Sequence, residues 1–419
     1  MAARSHSVVV GAGVVGICTA LYLQAAGRRV TLIGDQPPGE GTSSGNAGII
    51  STGSVHPEAM PGLWRAIPGM LLSRRAPVAL RPSYAMRFAP WLGRFLASSS
   101  AAAAERSSVA IHALSSRGLG YLWPLVQRAR AGHLLRRNGL LYIHETPAQL
   151  AAARRACAYY DRRGVDYQLV DSQELQELEP ALKPGIAGAV LVSGAAHTVS
   201  PLALSRQLFA LFQRQGGEFL PAEVRGFATD GRRVTKARAG TDYPGDEFFV
   251  TAGAWSHRLA AMLGSRVPLE TERGYHQEIG NAAIALRRPL LFVGRGFAAT
   301  SMQGGLRLAG TVEFAGLEAA PDYRRARLLA AQARELIPGL KTGEGQAWMG
   351  YRPSLPDSVP VLSVSPHYDN VYFGFGHGHL GLTQAAVTGA ALAAMASGGG
   401  VDFDPAPYRI ERFTRRAHA

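Results

Sequence analysis

Three glycines, Gly11, Gly13 and Gly16, stand at G-x-G-x-x-G spacing within "VVVGAGVVGICTALYLQAAGRRVTLIGD". That spacing suits the pyrophosphate of a dinucleotide. The first glycine permits a tight turn, the second lets the backbone approach the phosphates, and the third lets a helix pack closely on a strand. The flanking residues supply the elements this needs. Val8 to Val10 read as a buried strand, Val14 to Ala26 as a helix, Gly27 as its stop, and Arg28 to Ile33 as a second strand. The helix start at Val14 and Val15 presents free N–H groups and a partial positive charge. A secretory leader is the competing reading, because Arg4 precedes an apolar run. The glycines interrupt that run, which is too short and too broken to cross a bilayer.

The ribose-binding acid of such a unit ends the second strand, about 20 residues past the glycines. Asp35, after Ile33-Gly34, is the candidate. A carboxylate there accepts ribose hydroxyls and repels a 2′-phosphate, which disfavours NADP but does not separate NAD from FAD. Three further glycine clusters make that separation: "GEGTSSGNAG" after the second strand, "VTAGAWS" (Val250 to Ser256) and "GFGHGHLGLT" (Gly374 to Thr383). A flavin has to be held along its whole length and favours positive dipole beside its ring when reduced. A glycine turn feeding a helix N-terminus supplies that dipole.

At 419 residues and 47% hydrophobic, the chain has material for about two to three domains around a large core. Its two cysteines, Cys18 and Cys157, form no disulfide framework and no metal spacing, so no metal site and a reducing, cytoplasmic compartment are expected. No uninterrupted apolar run of about 18 residues occurs, so no membrane span is expected. The formal charge is +14, concentrated between Ala59 and His144, where twelve arginines face a single carboxylate, Glu105. Phe88, Trp91, Leu92 and Phe95 fall at helical spacing there, with Arg87 and Arg94 beside them. The pattern fits either an ordinary surface with an inward apolar stripe or peripheral docking on an anionic membrane face through residues 59–144. Nucleic acid is disfavoured, because no recognisable module accompanies the charge. After Gly139, strand-like and helix-like stretches alternate. The fold class expected is α/β: a Rossmann-type dinucleotide domain with an inserted α+β substrate domain built on an antiparallel sheet.

The stretches "VVVGAGVVG", "GEGTSSGNAG", "VTAGAWS", "ERGYHQEI", "GYRPSLPDSVPVL" and "GFGHGHLGLT" together resemble the FAD-dependent D-amino-acid dehydrogenases, within the group that includes glycine oxidase, sarcosine oxidase and D-amino-acid oxidase. The likeness spans Val8 to Thr383. It implies FAD held by Gly11, Gly13, Val14, Val15 and Gly16, by Thr42, Ser43, Ser44, Asn46, Ala47 and Gly48, by Val224, Gly253 and Trp255, and by Gly378, His379, Leu380, Gly381 and Thr383. It implies a discontinuous FAD domain (1–58, 198–264 and 345–419) and a substrate domain (59–197 and 265–344). One departure stands out: the family's acid follows the strand directly, where this chain has Gly34, and Asp35 comes one position late. FAD is expected to be non-covalent, since no cysteine follows Cys157 and residues 42–48 contain no histidine.

The reaction implied is transfer of the Cα hydrogen of a D-amino acid to flavin N5 as hydride, followed by hydrolysis of the imine, with electrons passed to a quinone or carrier protein. The main demand on the protein is a fixed substrate carboxylate, and Arg352 in "GYRPSLPD" matches the family's position for it. Tyr275 is expected to bond the carboxylate or close the pocket, and His276 to accept an ammonium proton or to serve structure alone. Arg273 is expected near the same site, and His56, His377 and His379 are further candidates for the pocket or the flavin ring. "AMPGLWRAIPGMLL" resembles dehydrogenases of D-proline or 4-hydroxy-D-proline. An oxygen-using oxidase of the glycine or sarcosine class is the alternative, and the flavin domain of a tRNA-modifying enzyme a third reading.

Overall fold

The computed structural model describes residues 5–63, 77–341 and 345–413. The N-terminal unit forms as its pattern predicts. The strand His6–Val10 leads through the glycine turn into the helix Val14–Ala25 and then the strand Arg29–Gly34, and the two strands pair in parallel. They occupy the middle of a six-stranded sheet with Glu218–Pro221 on one side. Glu247–Val250, Val371–Phe375 and Val361–Val364 follow on the other. Only the last pair is antiparallel.

The helix Val14–Ala25 is apolar on more than one face because it lies between this sheet and the final helix, Gly381–Ala396. Gly389 makes the close approach possible, since a Cβ there would stand 2.7 Å from the backbone of Cys18 and Thr19. Both helices begin at the same end of the sheet, beyond the carboxyl ends of the parallel strands. In open α/β sheets that is where ligands bind.

The second layer is a nine-stranded, mostly antiparallel sheet. From one edge it places Gln346–Ser354, Glu270–Ile279, Gly305–Phe314 and Phe297–Met302 side by side. Two features depart from the expected division of the chain. The strand Gln346–Ser354 belongs to this sheet, whereas the sequence division places residues 345–419 in the cofactor domain. The helix Ala101–Arg128, expected with the substrate domain, buries Leu122, Leu125 and Val126 in the same core as Ile17, Leu21 and Ala386. Its Gly118 abuts the Thr383 carbonyl. The low-complexity "SSSAAAA" is the start of that helix, with the Ser100 hydroxyl accepting from the Ala103 N–H.

In the basic segment, residues 64–76 and most of "AMPGLWRAIPGMLL" lie outside the described residues. The helix Ala85–Ala97 turns Phe88 and Trp91 inward onto Phe314, so its apolar stripe serves packing. Met86, Arg87 and Arg94 remain exposed. No described helix is long and apolar enough to cross a membrane.

Candidate active site

A cavity of about 970 Å³ opens between the two sheets, at the upper end of the range for ligand sites of about 300–1,000 Å³. At one end it is floored by the glycine turn. Gly11 adopts φ +111°, and a Cβ there would lie 2.5 Å from the Thr251 carbonyl oxygen. Gly16 does not border the cavity; a Cβ on it would strike the Gly11 carbonyl, so it serves the helix–strand contact. Gly13 faces Ser43, whose hydroxyl accepts from the Val14 N–H at 3.0 Å. Asp35 is exposed at the rim. Gly34 explains why the acid comes late: a side chain at position 34 would meet the Ala12 Cβ at 2.8 Å.

The loop 39–48 is held on both sides. Arg307 Nη1 donates to the carbonyls of Ser44 and Asn46, each at 2.9 Å, while its guanidinium pairs with Glu278. Thr42 exchanges hydrogen bonds with the backbone of Tyr351. Thr42, Ser43, Asn46 and Ala47 border the cavity, as do Val14, Val15, Val224, Gly253, Trp255, Gly378, His379, Leu380, Gly381 and Thr383. Ser44 and Gly48 do not. Ser44 spends its hydroxyl on Gly41 and Glu40 carbonyls, and the Gly48 N–H caps the Asn46 side chain. At the far wall the helix Gly381–Ala396 begins, directing its N-terminal N–H groups and positive dipole end at the cavity. The glycine floor, a small-residue loop and a second helix N-terminus fit a long, doubly phosphorylated cofactor carrying a ring that becomes anionic.

Arg352 lies on the cavity side of the second sheet. Its guanidinium rests over Gly274, where any Cβ would collide with it, and Nη1 donates to the Thr311 carbonyl at 3.0 Å. Thr311 holds φ +58°, a costly conformation for a β-branched residue and one that clusters at functional sites. No carboxylate ion-pairs with Arg352 among the described residues. Glu272, directly opposite it on the neighbouring strand, instead bonds His379 Nε2 at 2.7 Å. Burial pushes the Glu272 carboxyl up, but His379, the Ser354 hydroxyl and Arg352 outweigh it and hold it below its ordinary value. Burial lowers His379, yet Glu58 and Glu272 more than compensate and raise it. Burial lowers Arg352 from its usual value.

Tyr275 and His276 hold other hydrogen-bond partners than those expected. Tyr275 borders the cavity, next to Gly274 on the strand, but its hydroxyl is engaged elsewhere. Its hydroxyl donates to Glu313 at 2.5 Å and accepts from the Asp322 N–H at 3.0 Å, in a buried network with Arg273. His276 does not border the cavity. It stacks on Trp348, bonds the Gly45 carbonyl through Nδ1 at 3.0 Å, and is pushed down to about 4 by burial and by Arg307. It therefore positions the glycine-rich loop. His377 is buried against Thr388, also pushed to about 4 by burial. His56 borders the cavity, packed on Tyr159 and Tyr160. Sequence reasoning missed Gly274 and Thr311, which set the pose of Arg352, and Glu272, which lies opposite it and bonds His379.

The two-sheet architecture joins a dinucleotide turn to a cavity holding an arginine that has no carboxylate partner among the described residues. Residues 6–395 match the model of the FAD dependent oxidoreductase family (DAO), and the chain belongs to that family. It is 33% identical to a D-amino-acid oxidase of Bradyrhizobium diazoefficiens, over 97% of this chain and 99% of that one. Identity to a D-amino acid dehydrogenase of Vibrio cholerae is 29%, over 92% and 93% respectively. Glycine oxidase from Geobacillus kaustophilus superposes with a TM-score of 0.77 at 19% identity, covering 99% of this chain and all of that one, which is a likeness of fold. The protein is an oxidoreductase whose cofactor is FAD.

Proposed function

We propose that the protein oxidises a D-amino acid and passes the electrons to a quinone or carrier protein. The observation that carries this reading is Arg352: a half-buried guanidinium in the cavity, without a carboxylate partner among the described residues. In this reading FAD is bound non-covalently by Gly11, Gly13, Asp35 at the ribose, Thr42, Ser43, Asn46, Ala47 and the turn Gly378–Thr383. When bound, its flavin supplies the two-electron acceptor for the substrate Cα hydrogen. Arg352 fixes the substrate carboxylate by parallel charge-assisted bonds and so sets the direction of Cα. The helix Gly381–Ala396 offers its dipole to negative charge developing at the cavity wall. Leu140, Leu291, Phe297 and Ala298 line the rest with Tyr142 and Tyr160. Such an apolar wall with a few hydroxyls suits a compact ring such as D-proline or cis-4-hydroxy-D-proline. The names of the two relatives support a D-configured substrate.

An oxygen-using oxidase is the second reading, favoured by the name of the 33% identical relative. The test is an anaerobic titration of the yellow protein with D- and L-amino acids, followed by admission of air. Bleaching by D-proline or another D-amino acid but not its L-form supports the reading, and rapid return of colour in air selects the oxidase. Absence of bleaching by every amino acid overturns both. The same proposal places the protein in the cytoplasm, peripherally on an anionic membrane face through the basic 59–144 segment. Arg87→Glu/Arg94→Glu is then expected to lower cosedimentation with anionic vesicles. Equal cosedimentation of both proteins removes that part.

A further inference from the structure

The charge arrangement beside Arg352 poses a problem. Glu272 is its direct cross-strand neighbour on the same face of the sheet, at a register position where opposite charges normally pair. A pair there would occupy the guanidinium that the substrate carboxylate requires. Three features prevent it. Gly274 lets the Arg352 side chain lie along the sheet, away from residue 272. The Thr311 carbonyl, held in its left-handed conformation, anchors Nη1. His379, from the glycine turn before the last helix, takes the Glu272 carboxylate at 2.7 Å.

We propose that His379 is a positioning residue of the substrate site: by holding Glu272 it keeps Arg352 open to the carboxylate of the incoming amino acid. The inference rests on the reading of Arg352 as the carboxylate clamp and adds a residue pair that selects for an anionic ligand. Without the imidazole, Glu272 becomes the nearest anion to Arg352 and competes internally with substrate. The second carboxylate facing the pair, Glu58, comes from the segment after the glycine-rich loop and borders the cavity. With Glu272 and Arg352 it completes the charged groups that face His379. Loss of the imidazolium proton leaves Glu272 less compensated, so carboxylate binding weakens as pH rises through the titration of His379. The effect acts on ligand binding and leaves the oxidation step itself largely untouched, so KM moves before kcat.

The test is benzoate binding to the FAD-loaded enzyme, followed by the shift it produces in the flavin absorbance, which needs no turnover. His379→Ala is expected to weaken benzoate by about tenfold or more, the scale of one charge-assisted hydrogen bond. His379→Gln, which can still donate to Glu272, is expected to recover most of it. The double variant His379→Ala/Glu272→Gln is expected to bind benzoate about as well as Glu272→Gln alone. If the double variant stays as weak as His379→Ala, or if His379→Ala binds normally, the proposal is wrong. Should His379→Ala lose FAD, Glu272→Gln alone decides: its benzoate affinity should no longer fall with rising pH, and a wild-type slope refutes the proposal. Arg352→Leu in the same titration separates the two levels. If it binds benzoate normally, the clamp reading has failed rather than the role of His379.

Discussion

Gly274→Ala puts one methyl group into the joint between the strand Glu270–Ile279 and the Arg352 guanidinium. The backbone at 274 is extended strand, where alanine is favoured over glycine by roughly 0.5–1 kcal/mol, so the fold itself should not suffer. The new Cβ would overlap Arg352 Cζ and both terminal nitrogens. Carbon contacts settle near 3.5–4.0 Å, so the guanidinium has to retreat by about 1 Å or more. Two charge-assisted bonds to a substrate carboxylate, about 1.5–3 kcal/mol each, are then lost or bent, which corresponds to roughly 10²–10⁴ in kcat/KM. The assay is steady-state oxidation of a D-amino acid with a dye acceptor, alongside thermal unfolding and FAD content. An unchanged or higher Tm with a collapse in kcat/KM is the expected pair of results. A kcat/KM within about threefold of wild type would mean that the pose of Arg352 over Gly274 is not what binds substrate.

Gly16→Ala should fail differently: its Cβ falls on the Gly11 carbonyl, so overpacking of roughly 1–3 kcal/mol and a low FAD-to-protein absorbance ratio are expected together. Tyr275→Phe removes a bond to Glu313 and strands the Asp322 N–H, costing about 1–3 kcal/mol in urea unfolding. Its kcat/KM should stay near wild type, and a selective loss of activity would return the hydroxyl to the substrate site. His197, His276 and His377 are each buried and pushed to about 4. Their folded values lie below the unfolded value near 6.5, so the unfolded chain binds more protons as pH falls. Stability is then complete above about pH 6.5 and declines toward pH 4, by on the order of 1–3 kcal/mol per histidine. Urea midpoints measured at several pH values check this, and a flat profile across that window contradicts it.

The glycine turn was legible because every contact that defines it is local: strand, turn and helix follow within one stretch, and steric need specifies glycine at Gly11 and Gly16. The cavity-lining loop residues Thr42, Ser43, Asn46 and Ala47 were legible for the same reason. Arg352 was reached through family likeness rather than from its surroundings, since the sequence around it says nothing of Gly274 or Thr311. Those partners meet it only through antiparallel register between strands distant in the chain. "ERGYHQEI" shows the limit most sharply. It was recognised as a strand beside the substrate, yet side chains alternate across a strand, and a one-residue error exchanges the faces. The motif's chemistry-bearing residues are Tyr275 and His276, while Gly274 is the one that Arg352 rests over and Glu272 the one that meets His379. The helix Ala101–Arg128 shows a related limit: an apolar stripe predicts burial but not against which layer.

Trp348 and His276 stack on each other, and the glycine-rich loop rests on them, since a Cβ at Gly45 would enter the Trp348 ring and the Gly45 carbonyl meets His276. Tyr351, three positions beyond Trp348 on the same strand, is bonded to Thr42 of the same loop, and Arg352 follows it directly. The glycine-rich loop and the strand that carries Arg352 are therefore a single mechanical part. A ligand that binds the native state stabilises whatever it clamps, so FAD occupancy should be transmitted to the order of Arg352. The apoprotein would then be deficient in substrate recognition as well as in redox capacity, and reconstitution would restore the two together.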